Sequence, residues 1–225
     1  SIVPNTPFSD PEYKNKYGFK YTKTAAPAGG NTYPKDSNGE IDLVAYESKS
    51  YSKQDYIDMY FFAKGLVIPH HYHGVSQVAA TYLNREHNIP FIDFYKKLFE
   101  YSKDGVGILN EEYINHTNSL RDSLFKNKTW GRTIEGGDDF HIQDNGATAS
   151  FLYKNIDEVH EEIIGICKRE YKINVSEVCQ FNKHIIDTYE RDGIEKQFNK
   201  NWYSWFYDNK PLVAVNNIVS VAVYK

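Results

Sequence analysis

The stretch "SKQDYIDMYFFAKGLV", Ser52–Val67, decides how the chain is read. Ser52 followed three residues later by Asp55 is a capping pair, the usual mark of a helix start. Behind it Tyr56, Met59, Tyr60, Ala63 and Val67 recur at helical spacing and predict one apolar face. The same spacing returns in Val75, Val78, Ala79, Tyr82 and Leu83; in Phe91, Phe94, Tyr95 and Leu98 after Pro90; and in Tyr113, Thr117, Leu120 and Leu124. Further on, Ile156, Val159, Ile163 and Ile166, then Val178, Phe181, Ile185 and Tyr189, predict two more helices. Between them "ATASFLYKN", Ala147–Asn155, fits helix or strand. Such faces bury only against one another, so the expected fold class is mainly α, a multi-helix bundle-like domain with a small β component.

The flanks read differently. Residues 1–50 carry one short helix signal, Ser9 with Pro11 and Glu12 as a capping box, stopped by Gly18. A loop rich in Pro and Gly follows, "APAGGNTYPKDSNGE", and "IDLVAYES" predicts a strand. The expected organisation is therefore an extended, loop-rich segment over 1–50 and a helical domain over 51–225. In the tail, "KPLVAVNNIVSVAVYK" alternates apolar with small or polar residues on both sides of Asn216-Asn217. That pattern predicts a C-terminal β-hairpin, although Asn-Asn is a weaker turn than Asn-Gly.

Composition removes several function classes. The 225 residues carry a net charge of -4, so a nucleic-acid backbone meets no general attraction and no nucleic-acid partner is expected. Only two cysteines occur, Cys167 and Cys179, spaced neither as a disulfide framework nor as a CxxC metal motif; a reducing cytoplasm is the expected home. No apolar run approaches the roughly 18 residues that span a membrane, and no membrane partner is expected. Sequons at Asn115, Asn127 and Asn174 are read as chance triplets of an Asn-rich chain. The 19 tyrosines sit mostly at helical core spacings and are read as packing, not as stacking platforms. The chain starts SIVPNTPF, without Met, and is expected to be a fragment.

Two stretches hold candidate chemistry. In "PHHYHG", His70 and His73 would share a face if helical, and neutral imidazoles are good metal ligands. A third ligand is missing locally, HExxH is absent, and Pro69 with Gly74 predicts a kinked helix end; a polar terminus is the preferred reading over a metal site. "TWGRTIEGGDDFHIQDNG", Thr129–Gly146, has no regular period and reads as a loop. Arg132 could hold a carboxylate or phosphate in a bidentate fork, and Trp130 could wall a cavity, with Asp138 and His141 beside them as candidate substrate contacts. Alternatively, Trp130 fills a seam between helices while Arg132 caps carbonyls or pairs with Asp138. Asp138 and Asp139 are adjacent and poorly disposed as facing carboxylates. No nucleophile elbow, phosphate loop or dinucleotide fingerprint occurs, so no catalytic residue is assigned.

The order of "PNTPFSDPEYKNKYG", "YSKQDYIDMYFFA", "YLNREHNIPFIDFYKKLFEY", "WGR" and "ASFL" resembles the region after the radical domain in cobalamin-binding-domain radical SAM proteins, often called Fe-S oxidoreductases. The resemblance covers most of residues 1–155. It rests on Tyr13, Lys16, Tyr17 and Gly18; on Ser52, Asp55, Tyr60 and Phe62; on Tyr82, Leu83, His87, Ile89, Phe91, Phe94 and Tyr95; and on Trp130, Gly131, Arg132 and Ala149 to Leu152. It implies a parent chain with a cobalamin-binding domain and a partial barrel whose CxxxCxxC loop holds a [4Fe-4S] cluster that binds S-adenosylmethionine. A cluster of that kind needs three thiolates and this chain has two cysteines, so no cofactor is expected here. The resemblance thus implies an accessory domain that shapes a substrate site, partnered by the N-terminal domains of its parent and by a small-molecule substrate. Pro4, Asn5 and Thr6 would lie near the cofactor end. Glu135-Gly136-Gly137-Asp138 and Gly146-Ala147-Thr148 depart from the family's acidic pattern, which puts an acid-dependent role of the loop in doubt. A helical protein-interaction module and a small metal hydrolase built on His70 and His73 are the competing readings.

Overall fold

A computed structural model describes residues 10–25, 41–126, 132–133, 141–142, 144–190 and 196–221. It is mainly helical with a small β component, as the periodicities predict. Tertiary contacts separate two compact units, Ser1–Pro69 with Asn110–Phe151, and His70–Leu109 with Leu152–Lys225.

In the first unit, helix α1 (Pro11–Tyr17) ends at Gly18 in the left-handed region, whose N–H reaches Asn15 O while Phe19 N–H reaches Lys14 O. The expected cap at Ser9 is corrected: Asp10 is the cap, accepting the Glu12 N–H at 2.8 Å. Asp10 stands directly before Pro11, where a side-chain oxygen reaches the first free amides. Strand β1 (Lys20–Ala25) pairs antiparallel with β2 (Ile41–Glu47), which is the predicted strand. Helix α2 (Lys53–Tyr60) opens with the predicted Ser52–Asp55 box, both reciprocal bonds being present. Val44 of β2 packs with Ile57 of α2 and with Leu120 and Leu124 of α5 (Ile108–Phe125).

The apolar face expected on this stretch is met in part, since Tyr56 and Tyr60 pack against the Val44 cluster. Met59 is 53 % exposed and Ala63 is exposed, whereas Ile57, Phe61 and Leu66 are buried. From Phe61 to Tyr72 the backbone is a π-helix with Pro69 inside it. Its turns are wider than those of an α-helix, and the buried positions Phe61, Gly65 with Leu66, and Pro69 with His70 recur every four to five residues. Gly65 permits the tight packing: a Cβ there would lie 2.5 Å from the Phe61 ring and 2.9 Å from His116 Nδ1.

The second unit holds α3 (Gln77–His87), α4 (Phe91–Asp104), α7 (Ile156–Glu170) and α8 (Ser176–Glu190). Helix α3 packs on α4 and α8, and α7 packs on the same two, which closes a four-helix ring. Its interior is the predicted one: Val78, Ala79, Leu83, Phe94, Leu98, Val159, Ile163, Ile166, Val178 and Phe181 are all buried. Phe91, by contrast, sits at the helix start and is 36 % exposed. The ambiguous Ala147–Asn155 stretch is helical, within α6 (Asp144–Lys154).

The C-terminal hairpin with an Asn-Asn turn is also corrected. Strand β6 (Ala214–Val221) runs straight through Asn216 and Asn217 and pairs antiparallel with β5 (Lys196–Lys200). The connection is α9 (Trp202–Tyr207), so the alternation on both sides of the two asparagines belongs to one strand. Helix α9 brings Trp202 and Trp205, both 1 % exposed, onto Tyr82 and Phe181. Their indole N–H groups donate to Glu177 Oε1 at 3.0 Å and Glu86 Oε1 at 2.7 Å.

Candidate functional site

The second unit contains a cavity of about 930 Å³. One wall is a stripe of α3, Gln77, Val78, Thr81 and Arg85, residues three and four apart that share a helix face. Opposite stand Asn182, Ile185 and Ile186 of α8, with Phe206 and Tyr207 of α9 and Tyr153 at the sides. The rim is the turn Tyr72-His73-Gly74, where the π-helix gives way to α3.

Buried polar groups fix that turn. Asn182, 1 % exposed, donates through Nδ2 to Gly74 O at 2.9 Å and Val75 O at 3.2 Å, and its Oδ1 accepts the Val78 N–H at 3.1 Å. One amide thus ties the rim to the first turn of α3. His160 Nε2 lies 3.0 Å from Val75 O, and because a carbonyl only accepts, that nitrogen carries the proton. His70 Nδ1 meets Ser76 Oγ at 2.9 Å, and Ser76 N–H donates to His70 O. Tyr153 OH donates to His73 O. Burial holds both imidazoles neutral: His70 is lowered to about 3 by desolvation and then by His160, and His160 is lowered by desolvation.

Arg85 is the one permanently charged side chain on the cavity wall. Its Nη1 donates to Trp205 O at 2.7 Å and the guanidinium carbon lies 5.3 Å from the centroid of the Trp205 ring. Arg85 has no ion pair among the described residues, and the neighbouring Glu86 is turned to the Trp205 indole. The arrangement offers one oriented cation, neutral hydrogen-bonding groups and an apolar floor. Pockets of this kind hold organic molecules.

The sequence-level candidates fall elsewhere. Trp130, Asp138, Pro4, Asn5 and Thr6 lie outside the described residues. Arg132 and His141 stand on paired strands: β3 (Arg132–Thr133) pairs antiparallel with β4 (His141–Ile142), with Thr133 opposite His141 and Arg132 opposite Ile142 in the register. His70 and His73 are not brought together, since His70 is buried against Ser76 and His73 lies exposed beyond the helix end. Among the described residues no group of three His, Cys, Asp or Glu side chains could hold a metal ion. Cys167 and Cys179 are buried in α7 and α8, and burial raises both thiols, Cys167 to about 12, which makes them poor thiolate ligands. No described helix is long and apolar enough to cross a membrane.

Sequence reasoning missed Asn182 and Arg85. Asn182 had a signal: it follows Val178 by four residues, a polar amide on an apolar face, where burial demands partners. Arg85 had none, because an arginine in the last turn of a helix is ordinary. A comparison with protein-family models finds no match, and a comparison with curated proteins finds none either.

Proposed function

We propose that this chain is the C-terminal, substrate-shaping region of a radical SAM, cobalamin-dependent Fe-S oxidoreductase, which binds a small organic molecule and is not catalytic alone. The observation that supports it is the second unit's cavity, with its single oriented cation and mostly neutral walls. The polar groups around it are engaged in holding backbone, as Asn182 and His160 are, which suits a binding part better than a reacting one. Resemblance along residues 1–155 supplies the family. The [4Fe-4S] cluster, S-adenosylmethionine and cobalamin would be held by N-terminal domains of the parent, since the two buried cysteines do not fit a three-thiolate cluster. A reducing cytoplasm suits the two free thiols.

The test is to read the source DNA upstream of the Ser1 codon. An open frame of several hundred codons containing CxxxCxxC is the expected result. A frame that begins immediately upstream overturns the family reading and leaves the cavity to be explained as a free-standing binding site.

A further inference from the structure

The cavity also indicates what kind of molecule it accepts, an inference that rests on its being a ligand site. Gln77, Thr81 and Arg85 follow one another at four-residue intervals along α3. At 1.5 Å per residue the ladder is about 12 Å long. At one end, Arg85 is held by the Trp205 carbonyl and ring, and one of its five N–H groups is spent there. The others have no protein acceptor among the described residues. Thr81 Oγ1 donates to Gln77 O at 2.8 Å and so offers the cavity only lone pairs. The Gln77 amide, at the other end, has no protein partner among the described residues. Facing the ladder are Ile185, Ile186 and Phe206, none of which offers a side-chain hydrogen bond.

We infer that the cavity binds an elongated amphipathic carboxylate, its anionic end in the Arg85 fork, its apolar body on Ile185, Ile186 and Phe206, and a neutral polar group near Gln77. A phosphate is disfavoured by the same geometry. Phosphate sites gather several cations or open helix-terminal amides. Here no Lys and no second Arg line the cavity, and two of the amides at the start of α3 are already engaged, Ser76 N–H with His70 O and Val78 N–H with Asn182 Oδ1.

The experiment is fluorescence titration of the purified chain with dansylaminoundecanoate and, separately, with its methyl ester. The acid is expected to bind, and Arg85→Gln to weaken it by about ten- to a hundredfold, the worth of a charge-assisted hydrogen bond, while leaving the ester unchanged. Arg85→Lys should recover part of the loss, since it restores the charge without the fork. Arg85 is exposed, and circular dichroism of each variant confirms that it folds. Equal binding of acid and ester, unmoved by Arg85→Gln, overturns the carboxylate class while the cavity remains a ligand site. Binding of neither probe, or binding undisturbed by Ile186→Trp, overturns the ligand site itself and this inference with it.

Discussion

Each unit buries a knot of polar side chains, and the two are built on different rules. In the first, Thr148 Oγ1 donates to Glu112 Oε1 at 2.7 Å and lies 3.1 Å from His116 Nδ1, so side chain meets side chain across α5 and α6. Since the hydroxyl proton goes to the carboxylate, His116 Nδ1 donates to the hydroxyl oxygen. In the second unit, the Asn182 and His160 side chains hold backbone atoms of residues 74, 75 and 78, beside the His70–Ser76 side-chain pair. A side-chain knot joins two regular helices. A knot that grips backbone gives an irregular turn a shape, and here that turn is the cavity rim.

The sharpest way to break the contrast is Asn182→Leu. It keeps the volume but strips Gly74 O and Val78 N–H of their partners; at about 2 kcal/mol for each buried unsatisfied group the loss is about 4 kcal/mol. Urea unfolding should show it, together with weaker binding of dansylaminoundecanoate as the rim loosens. Unchanged stability would mean that the rim is held by its own backbone.

Acid probes the same knot. His70 has a folded pKa of about 3, below the ordinary 6.5, so between these values the unfolded chain binds a proton that the folded one refuses. The stability that neutral His70 contributes is therefore complete above about pH 6.5 and falls as pH drops, by up to about 1.4 kcal/mol per unit. From pH 6.5 to 4.5 the loss is about 2 kcal/mol from this group, with His160 adding in the same direction. His70→Gln should flatten the slope of unfolding free energy against pH by that amount. A slope unchanged in the variant would place the acid sensitivity on the carboxylates instead.

This contrast also explains what was legible in the sequence. The four-helix ring was readable because α-helical burial repeats at a fixed interval, and Val159, Ile163 and Ile166 keep it. The stretch from Phe61 to Tyr72 broke the reading, since a π-helix shifts every later position off the α-helical face. In the tail, alternation revealed the strand but not its partner, because β5 lies beyond α9. The candidate site was almost illegible. Its polar residues come from α3, α8 and the rim, more than a hundred positions apart in Asn182 and Gly74, and pairings at such separation leave no local pattern.

Gly65 tests the side-chain knot from outside. Gly65→Ala drives a methyl group to 2.5 Å from the Phe61 ring and 2.9 Å from His116 Nδ1, so ring and imidazole must both shift. Overpacking of this size costs about 2 kcal/mol. Thermal unfolding measures it, and a helix-stabilising gain in its place would show that the knot yields freely.

Thr148→Val is the cut that isolates the difference between the knots. The methyl fills the space of the hydroxyl, and only the bonds to Glu112 and His116 are lost. The loss should be about 2 kcal/mol, about 1 for each of the two bonds, and no backbone group loses its partner. Thr148 does not line the cavity, so dansylaminoundecanoate binding should stay at its wild-type value. Stability and binding then separate: Asn182→Leu moves both and Thr148→Val moves only the first. If Thr148→Val weakened binding as much as Asn182→Leu does, the two knots would be one energetic system, and the rim could no longer be credited to the backbone bonds of Asn182.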